Sequence, residues 1–300
     1  MYFGDIPKGR PGPRKAVALL VRSLDIEARP RPLRDLLCQV ILSEGWESQQ
    51  SAAEERAESW EANALMLIKD ALGKPDRFGR PSVLAINSSS DYLIQGAAFV
   101  EGAETHEGIL HKSRRKHIFR LLSAMRCLSP QEFEGFCTRV IQQIGAEASY
   151  TTKLSGDEGI DFFGKLKLKN HIFPDDVAPT LQSQLNVWLI GQAKHYRAIK
   201  VATPDIRELV GSVELARHSA FSSIKGSPYP DLEILACDPV FRLFFTTGEI
   251  SLDGWQLLER SGVVGMDGLM LSAFLCDRGV CQSEGHFSES EFQIWARSTA

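Results

Sequence analysis

The 300-residue chain lacks the features that define several large classes of protein. No apolar run approaches the roughly 20 residues that a helix needs to cross a bilayer. Its six cysteines are scattered and form no CxxC pair, which disfavours a zinc site and a disulfide framework. No P-loop, strand-linked GxGxxG motif or cleavable signal sequence is present. We therefore expect a cytoplasmic protein with reduced thiols, no membrane partner and no NTP hydrolysis of its own.

The chain also lacks an overall basic charge, since 34 Lys and Arg residues face 38 Asp and Glu residues and the net charge is −4. A nucleic-acid partner would then require a local concentration of positive charge. One such run is His111, Lys112, Arg114, Arg115, Lys116, His117 and Arg120. This run has two possible interpretations, a solvated helix face and a surface that contacts phosphate. On the second interpretation, the DNA-binding residues are Arg114, Arg115, Lys116 and Arg120.

Residues 1–127 are predicted to form a mostly helical recognition or regulatory domain. Helices are expected at Arg14–Leu24 and Leu33–Ser43, and a basic helix at about Ser113–Arg126. Between them, Ser82–Ile86 and Tyr92–Val100 read as two short strands joined by a turn. Helices followed by a two-stranded ribbon suggest a winged-helix-like unit.

Residues 128–300 show a different, alternating pattern. Ser129 and Glu132 form a capping box with a proline between them, and an apolar stripe follows until Gly145. Short strand patterns then alternate with helical ones to the end of the chain. This order predicts an α/β domain with a mixed sheet flanked by helices.

Three polar residues of this second half have the spacing of a metal-dependent phosphodiesterase site. Asp161 begins one predicted strand, and Gln192 and Lys194 lie two positions apart on the next, so they share a face. A carboxylate and an amide oxygen are ligands for Mg²⁺, and a lysine ammonium contacts phosphate. Glu134 lies at the rim of the apolar stripe of the preceding helix, where either an assisting role or a solvated position remains open.

These residues, taken in order, resemble the Mrr-like restriction endonuclease domain of the PD-(D/E)xK nuclease superfamily. The resemblance rests on short segments spread over about residues 128–279. They are Phe133-Glu134, Ser155-Gly-Asp-Glu-Gly-Ile-Asp161, Gln192-Ala-Lys194, Asp205-Ile-Arg-Glu-Leu-Val-Gly211, Phe244-Phe-Thr-Thr-Gly248 and Val264-Gly-Met-Asp-Gly-Leu-Met-Leu-Ser272. The resemblance implies a restriction-endonuclease-like fold in this half of the chain.

The resemblance also implies a function, namely cleavage of double-stranded DNA in restriction or defence against foreign DNA. Asp161, Gln192 and Lys194 would be the catalytic triad, assisted by Glu134. Asp161 and Gln192 would hold Mg²⁺, or Mn²⁺ in its place. Because one such site cuts one strand, double-strand cleavage implies a homo-oligomer.

Two alternatives remain open at this point. Glu158 stands where the family usually has glycine, and Gln192 is neutral, so a non-catalytic nucleic-acid-binding module with the same fold is one of them. The other is an effector subunit that stays silent until a partner protein or a small ligand engages the N-terminal domain.

Overall fold

A computed structural model describes residues 6–73, 78–152, 159–167, 186–196, 200–218, 220, 229, 231–283 and 285–298. The chain divides into two compact units, Met1–His117 and Ile118–Ala300. The predicted division of roles at residue 127 stays a prediction. None of the helices in the described part combines the length and the apolar character of a bilayer-crossing segment.

The first unit begins with three helices, α1 (Pro13–Ser23), α2 (Leu33–Ser43) and α3 (Gln50–Gly73). Its strands are β1 (Arg31–Pro32), β2 (Leu84–Ile86) and β3 (Leu93–Gly96). They form an antiparallel sheet in the order β1-β3-β2. This arrangement confirms a mostly helical N-terminal region, and its winged-helix-like character stays a prediction. The sequence predicts two strands here, and the described residues form three. The additional strand, β1, is missed because it has only two residues and one of them is proline.

The basic segment forms two helices rather than one. Helix α4 (His106–Arg115) ends before the buried His117, and α5 (Ile118–Arg126) begins directly after it. The prediction of one helix from Ser113 to Arg126 is therefore wrong in both its start and its continuity. The break carries no glycine or proline, so no local stop signal marks it.

The second unit is built on a five-stranded sheet in the order β4-β5-β6-β7-β8. These strands are β4 (Ala146–Thr151), β5 (Phe162–Lys167), β6 (Asn186–Lys194), β7 (Val240–Thr246) and β8 (Val264–Met266). The β4-β5-β6 pairs are antiparallel and the β6-β7-β8 pairs are parallel. The mixed sheet expected from the sequence is confirmed.

Helices cover this sheet. The second unit adds α6 (Pro130–Ile144), α7 (Thr203–Arg217), α8 (Leu252–Ser261), α9 (Gly268–Asp277) and α10 (Glu289–Arg297) to α5. A small hairpin of β9 (Gln282–Ser283) and β10 (His286–Phe287) precedes α10. Helix α6 packs on β4, β5 and β6, and α7 packs on β6 and β7. The two helices that flank β6 therefore also flank its last residues, Gln192 and Lys194.

Local sequence explains how α6 is placed. The capping box of Ser129 and Glu132 is present, with Pro130 in the first turn. Its apolar stripe is buried and includes Phe133, Phe136, Cys137, Val140 and Ile141. Burial of this stripe against the sheet fixes the rotation of the helix, and this rotation brings Glu134 near the end of β6.

The centre of the sheet is packed by aromatic rings. Phe162 of β5 stacks on Phe245 of β7, with ring centroids 5.3 Å apart. The ring of Phe162 crosses over Gly191 of β6, where a Cβ atom would lie only 2.1 Å from it. A residue with a side chain at position 191 would push the ring away. Gly191 therefore keeps β5, and the Asp161 that precedes it, in close register with β6.

Candidate functional site

Asp161 lies immediately before β5 and is still bonded to β6. Its backbone nitrogen donates to the carbonyl of Gly191 at 3.0 Å. Its side-chain oxygen Oδ2 accepts a hydrogen bond from the backbone nitrogen of Ala193 at 2.7 Å. The carboxylate is thus fixed against the residue that separates Gln192 from Lys194.

Gln192 and Lys194 face the same side of the sheet, as their spacing predicts, because both contact α7. The amide of Gln192, which is almost fully buried, is oriented by its surroundings: its nitrogen donates to the carbonyl of Asp205 at 2.9 Å. Its oxygen accepts from Lys194 Nζ at 3.2 Å. In this orientation the amide oxygen of Gln192 supports the lysine, and its assignment as a metal ligand stays a prediction.

Glu134 shares an electrostatic environment with Asp161 and Lys194. Burial and, to a smaller extent, the negative charge of Asp161 raise the pKa of Glu134 to about 7, while Lys194 opposes the shift. The thiol of Cys137, one turn along α6, also has a raised pKa because of burial and the charges of Asp161 and Glu134. Glu134 therefore lies within electrostatic range of both Asp161 and Lys194.

The end of β6 is also held through its backbone by β7. The hydroxyl of Thr246 donates to the carbonyl of Lys194 at 2.7 Å, and that of Thr247 donates to the carbonyl of Tyr196 at 3.1 Å. Both threonines are fully buried. The Thr-Thr-Gly segment therefore positions the lysine without touching its ammonium group.

The turn before Asp161 requires glycine at position 159. Gly159 has φ +70°, and a Cβ atom there would lie 2.4 Å from Ser212 Oγ and 3.2 Å from Glu208 Cγ of α7. Both the backbone conformation and the close approach of α7 exclude a larger residue. Gly156 and Glu158, which the sequence analysis also singled out, lie outside the described residues.

Sequence reasoning missed one charged side chain beside the lysine. Glu208 of α7 places Oε2 3.4 Å from Lys194 Nζ. No pattern within α7 marks this glutamate, because its importance depends on how the helix packs against β6. The segment around it was noted only as part of the family resemblance.

The fit of a metal ion can be judged from the donors that are present. Within the described parts of the chain, no group of three or more His, Cys, Asp or Glu side chains stands ready to hold one. The local charge nevertheless suits a cation, because the negative charge of Asp161 disfavours ionisation of Glu134. A hard divalent ion with oxygen ligands would relieve that repulsion. The residues therefore fit a metal held by Asp161, with other ligands supplied by the second lone pair of the Gln192 amide oxygen, by Glu134, or by water or substrate.

The predicted DNA-binding residues are divided between the two units. Arg114, Arg115 and Lys116 lie at the end of α4 in the first unit. Arg120 belongs to α5 of the second unit, where its guanidinium lies 5.9 Å from the centre of the Phe287 ring. Their role in binding DNA stays a prediction.

Comparison with known protein families finds a match in the second unit. Residues 125–224 match the family model Mrr_cat, which is described as a restriction endonuclease. The match confirms the resemblance and includes Glu134, Asp161, Gln192 and Lys194. No curated protein matches the chain significantly.

Solved structures of three restriction endonucleases also resemble the chain. MspJI in complex with a 27-mer oligonucleotide is 16% identical with a TM-score of 0.38, over 68% of this chain and 40% of its own. The DNA modification-dependent enzyme AspBHI is 16% identical with a TM-score of 0.38, over 60% and 38%. FokI bound to DNA is 11% identical with a TM-score of 0.34, over 90% and 45%. The chain thus spans less than half the length of each.

Proposed function

We propose that this protein is a metal-dependent DNA endonuclease that hydrolyses phosphodiester bonds in restriction or defence against foreign DNA. The observation that carries the proposal is the convergence of Asp161, Lys194 and Glu134 at the end of β6. The hydrogen bond from the Ala193 nitrogen fixes the carboxylate of Asp161 beside the strand position of Lys194, and the charges of both residues act on the pKa of Glu134. The match of residues 125–224 to a restriction endonuclease family supports the same activity.

Hydrolysis of a phosphodiester requires charge neutralisation, a positioned water molecule and a path for its proton. When bound, Mg²⁺, or Mn²⁺ in its place, supplies charge neutralisation and lowers the pKa of water. Asp161 and Gln192 are the proposed ligands. Lys194 provides a compact cation for the phosphate and the attacking water.

Glu134 is suited to receive a proton from the attacking water. A general base works best when its pKa lies near the operating pH, and the pKa of Glu134 is about 7. An ordinary exposed glutamate would be ionised at this pH but would be a weaker base. The partial burial of Glu134 beside Asp161 therefore has a catalytic use.

The remaining parts of the proposal concern the substrate and the assembly. Double-stranded DNA is the proposed substrate, contacted by Arg114, Arg115, Lys116 and Arg120. Because one site of this kind cuts one strand, cutting both strands requires a second copy of the chain. The winged-helix-like first unit is the proposed recognition or regulatory part.

A plasmid cleavage assay tests the activity. Supercoiled DNA is incubated with the protein in Mg²⁺, in Mn²⁺ and in EDTA, beside the variants Asp161→Ala and Lys194→Ala. We expect nicked or linear products in either metal, none in EDTA and none from the two variants. Asp253→Ala, which removes an exposed carboxylate from α8, is the charge-matched control and should cut normally.

Two results would count against the proposal. Full cutting by both site variants would exclude this site. DNA binding without cutting in any metal would instead favour a non-catalytic binding module.

The defence role needs a test in cells. Expression of the protein should lower the efficiency with which foreign plasmid or phage DNA becomes established, and Asp161→Ala should abolish that effect. Equal establishment with the wild type and the variant would reject the role while leaving the cleavage activity to be judged separately.

A further inference from the structure

Helix α7 places an acidic side chain directly beside the proposed catalytic lysine. Glu208 Oε2 lies 3.4 Å from Lys194 Nζ, and the two side chains are 39% and 24% exposed, respectively. An ion pair this accessible contributes little to folding stability. A role for this ion pair is therefore to be sought in catalysis and not in folding stability.

The ammonium of Lys194 needs to be held because its stem is long and flexible. A lysine side chain has four rotatable carbon–carbon bonds and no fixed orientation of its own. Among the described residues, two groups lie within reach of Nζ, namely the amide oxygen of Gln192 at 3.2 Å and the carboxylate of Glu208. The amide of Gln192 is held in turn by the carbonyl of Asp205 at 2.9 Å. Helix α7 thus acts on the lysine directly through Glu208 and indirectly through Asp205.

The stem of Glu208 passes close to the turn that leads to Asp161. Its Cγ would lie 3.2 Å from a Cβ atom at Gly159, and Ser212, one turn later, approaches the same position more closely. The hydroxyl of Ser212 is bonded to the carbonyl of Glu208 at 2.9 Å. The glutamate therefore lies between the turn that carries Asp161 and the strand that carries Lys194.

We propose that Glu208 is a positioning residue that sets the location of the Lys194 ammonium for phosphodiester cleavage. This inference rests on the proposed nuclease function. Before DNA binds, Glu208 and Gln192 hold the ammonium at the end of β6. When the phosphate arrives, the ammonium needs only a small displacement to contact it, so little of the reaction barrier is spent on ordering the side chain.

The test compares variants of Glu208 with a matched control on the same helix. Glu208→Ala removes the contact, Glu208→Gln removes only the charge, and Glu208→Asp keeps the charge on a shorter stem. The control is Glu214→Ala, because Glu214 also makes an ion pair from α7, but with Arg242 of β7. Each variant is measured for single-turnover cleavage rate, for DNA Kd without metal and for thermal unfolding midpoint.

A positioning role predicts a loss in rate without a loss in binding. We expect the cleavage rate of Glu208→Ala to fall about 10- to 100-fold, the scale of a misplaced catalytic group. Its DNA Kd should stay within about two-fold, since the proposed role of Glu208 is to contact the lysine and not the phosphate. Glu208→Asp should keep more activity than Glu208→Gln, and Glu214→Ala should cut like the wild type.

The outcomes that overturn the inference are separable. If the wild type cuts DNA and Glu208→Ala cuts at the same rate, the positioning role is rejected while the proposed function stands. An equal loss of rate in Glu214→Ala, or a matching fall in unfolding midpoint, shows that α7 acts only as a structural support. Absence of cutting by the wild type in Mg²⁺ and Mn²⁺ rejects the proposed function, and this inference falls with it.

Discussion

The carboxylate of Asp161 is bonded to the backbone of Ala193, a residue 32 positions later in the chain, at 2.7 Å. Ala193 lies between Gln192 and Lys194, so this bond ties the proposed metal ligand to the strand that carries the lysine. The nitrogen of Asp161 also donates to Gly191, which extends the pairing of β5 with β6 beyond the end of β5. The site is therefore an extension of the sheet and shares its rigidity.

The charge of Asp161 and its structural bond can be separated by substitution. Asp161→Asn keeps an oxygen that accepts from the Ala193 nitrogen, so we expect little change in the free energy of unfolding. Asp161→Ala leaves that donor without its partner and should cost about 1–3 kcal/mol. Both variants should lose cleavage. Denaturant unfolding of the two variants checks the difference, and equal destabilisation would show that the hydrogen bond is unimportant.

The raised pKa of Glu134 predicts a stability that depends on pH. The folded state holds this proton more tightly than the unfolded state, because the pKa is about 7 against an ordinary 4.5. The free energy of unfolding therefore falls as the pH rises from about 4.5 to 7, and the protein stays destabilised by the same amount at higher pH. Glu134→Gln removes the cost, so it should stabilise the protein at pH 8 by about 1 kcal/mol, after allowance for solvent screening.

Urea unfolding in EDTA at pH 5 and pH 8 tests this expectation. The stabilising effect of Glu134→Gln should be much smaller at pH 5, where the folded wild type carries a protonated Glu134. An equal effect at both values would contradict the perturbed carboxyl group.

Gly159→Ala should disturb the site through the turn that precedes Asp161. A side chain at φ +70° is strained, and its Cβ would also meet Ser212 Oγ at 2.4 Å. We expect a loss of about 2–3 kcal/mol in the free energy of unfolding and a fall in cleavage. Gly262→Ala is the control, because Gly262 has φ +69° with nothing within 4 Å of its Cβ position.

The control should lose only about 1 kcal/mol and cut normally. Adding Ser212→Gly to Gly159→Ala should recover part of the loss, since it removes the collision and leaves the backbone strain. No recovery would mean that the collision with α7 does not limit the turn.

Thr246→Val tests the backbone support of Lys194. The valine has nearly the same shape, but it cannot donate to the Lys194 carbonyl, which the hydroxyl reaches at 2.7 Å. Loss of this buried bond should cost about 1–2 kcal/mol and should lower the cleavage rate. Ser261→Ala removes a hydroxyl bond within α8 and should leave cleavage unchanged. If Thr246→Val is destabilised but still cuts normally, the hydroxyl of Thr246 contributes to folding and not to cleavage.

The basic residues predict a salt-dependent affinity for DNA. Replacing Arg114, Arg115, Lys116 and Arg120 by glutamine should weaken binding for all sequences alike. Each phosphate contact that is lost should reduce the slope of log affinity against log salt by about 1. Lys69→Gln, on α3, is the control and should leave the slope unchanged. An unaltered slope in the four-residue variant would identify these residues as a solvated surface.

The sequence predicts the sheet, and the side of the sheet on which the proposed site residues lie, because both depend on short-range patterns. The spacing of Gln192 and Lys194 fixes their common face whatever surrounds them. The capping box of α6 and its apolar stripe likewise fix where Glu134 points. Each of these inferences needs only a few neighbouring residues and the period of one element.

The sequence does not predict features that arise from the packing of one element on another. Glu208 approaches Lys194 only because α7 packs across β6, and no pattern in either element contains that fact. Strand β1 is recognisable only through its pairing with β3. The break between α4 and α5 follows burial of His117, not a residue that ends helices.

The most direct test of the central claim is the single-turnover cleavage rate of a labelled DNA duplex against Mg²⁺ concentration. The wild type should show a rate that rises with Mg²⁺ and saturates, and that vanishes in EDTA. Asp161→Asn, folded and able to bind DNA, should show a rate at least about 1,000-fold lower at every concentration. Cleavage that persists in EDTA, or that is equal in the two proteins, would contradict a metal-dependent site at Asp161.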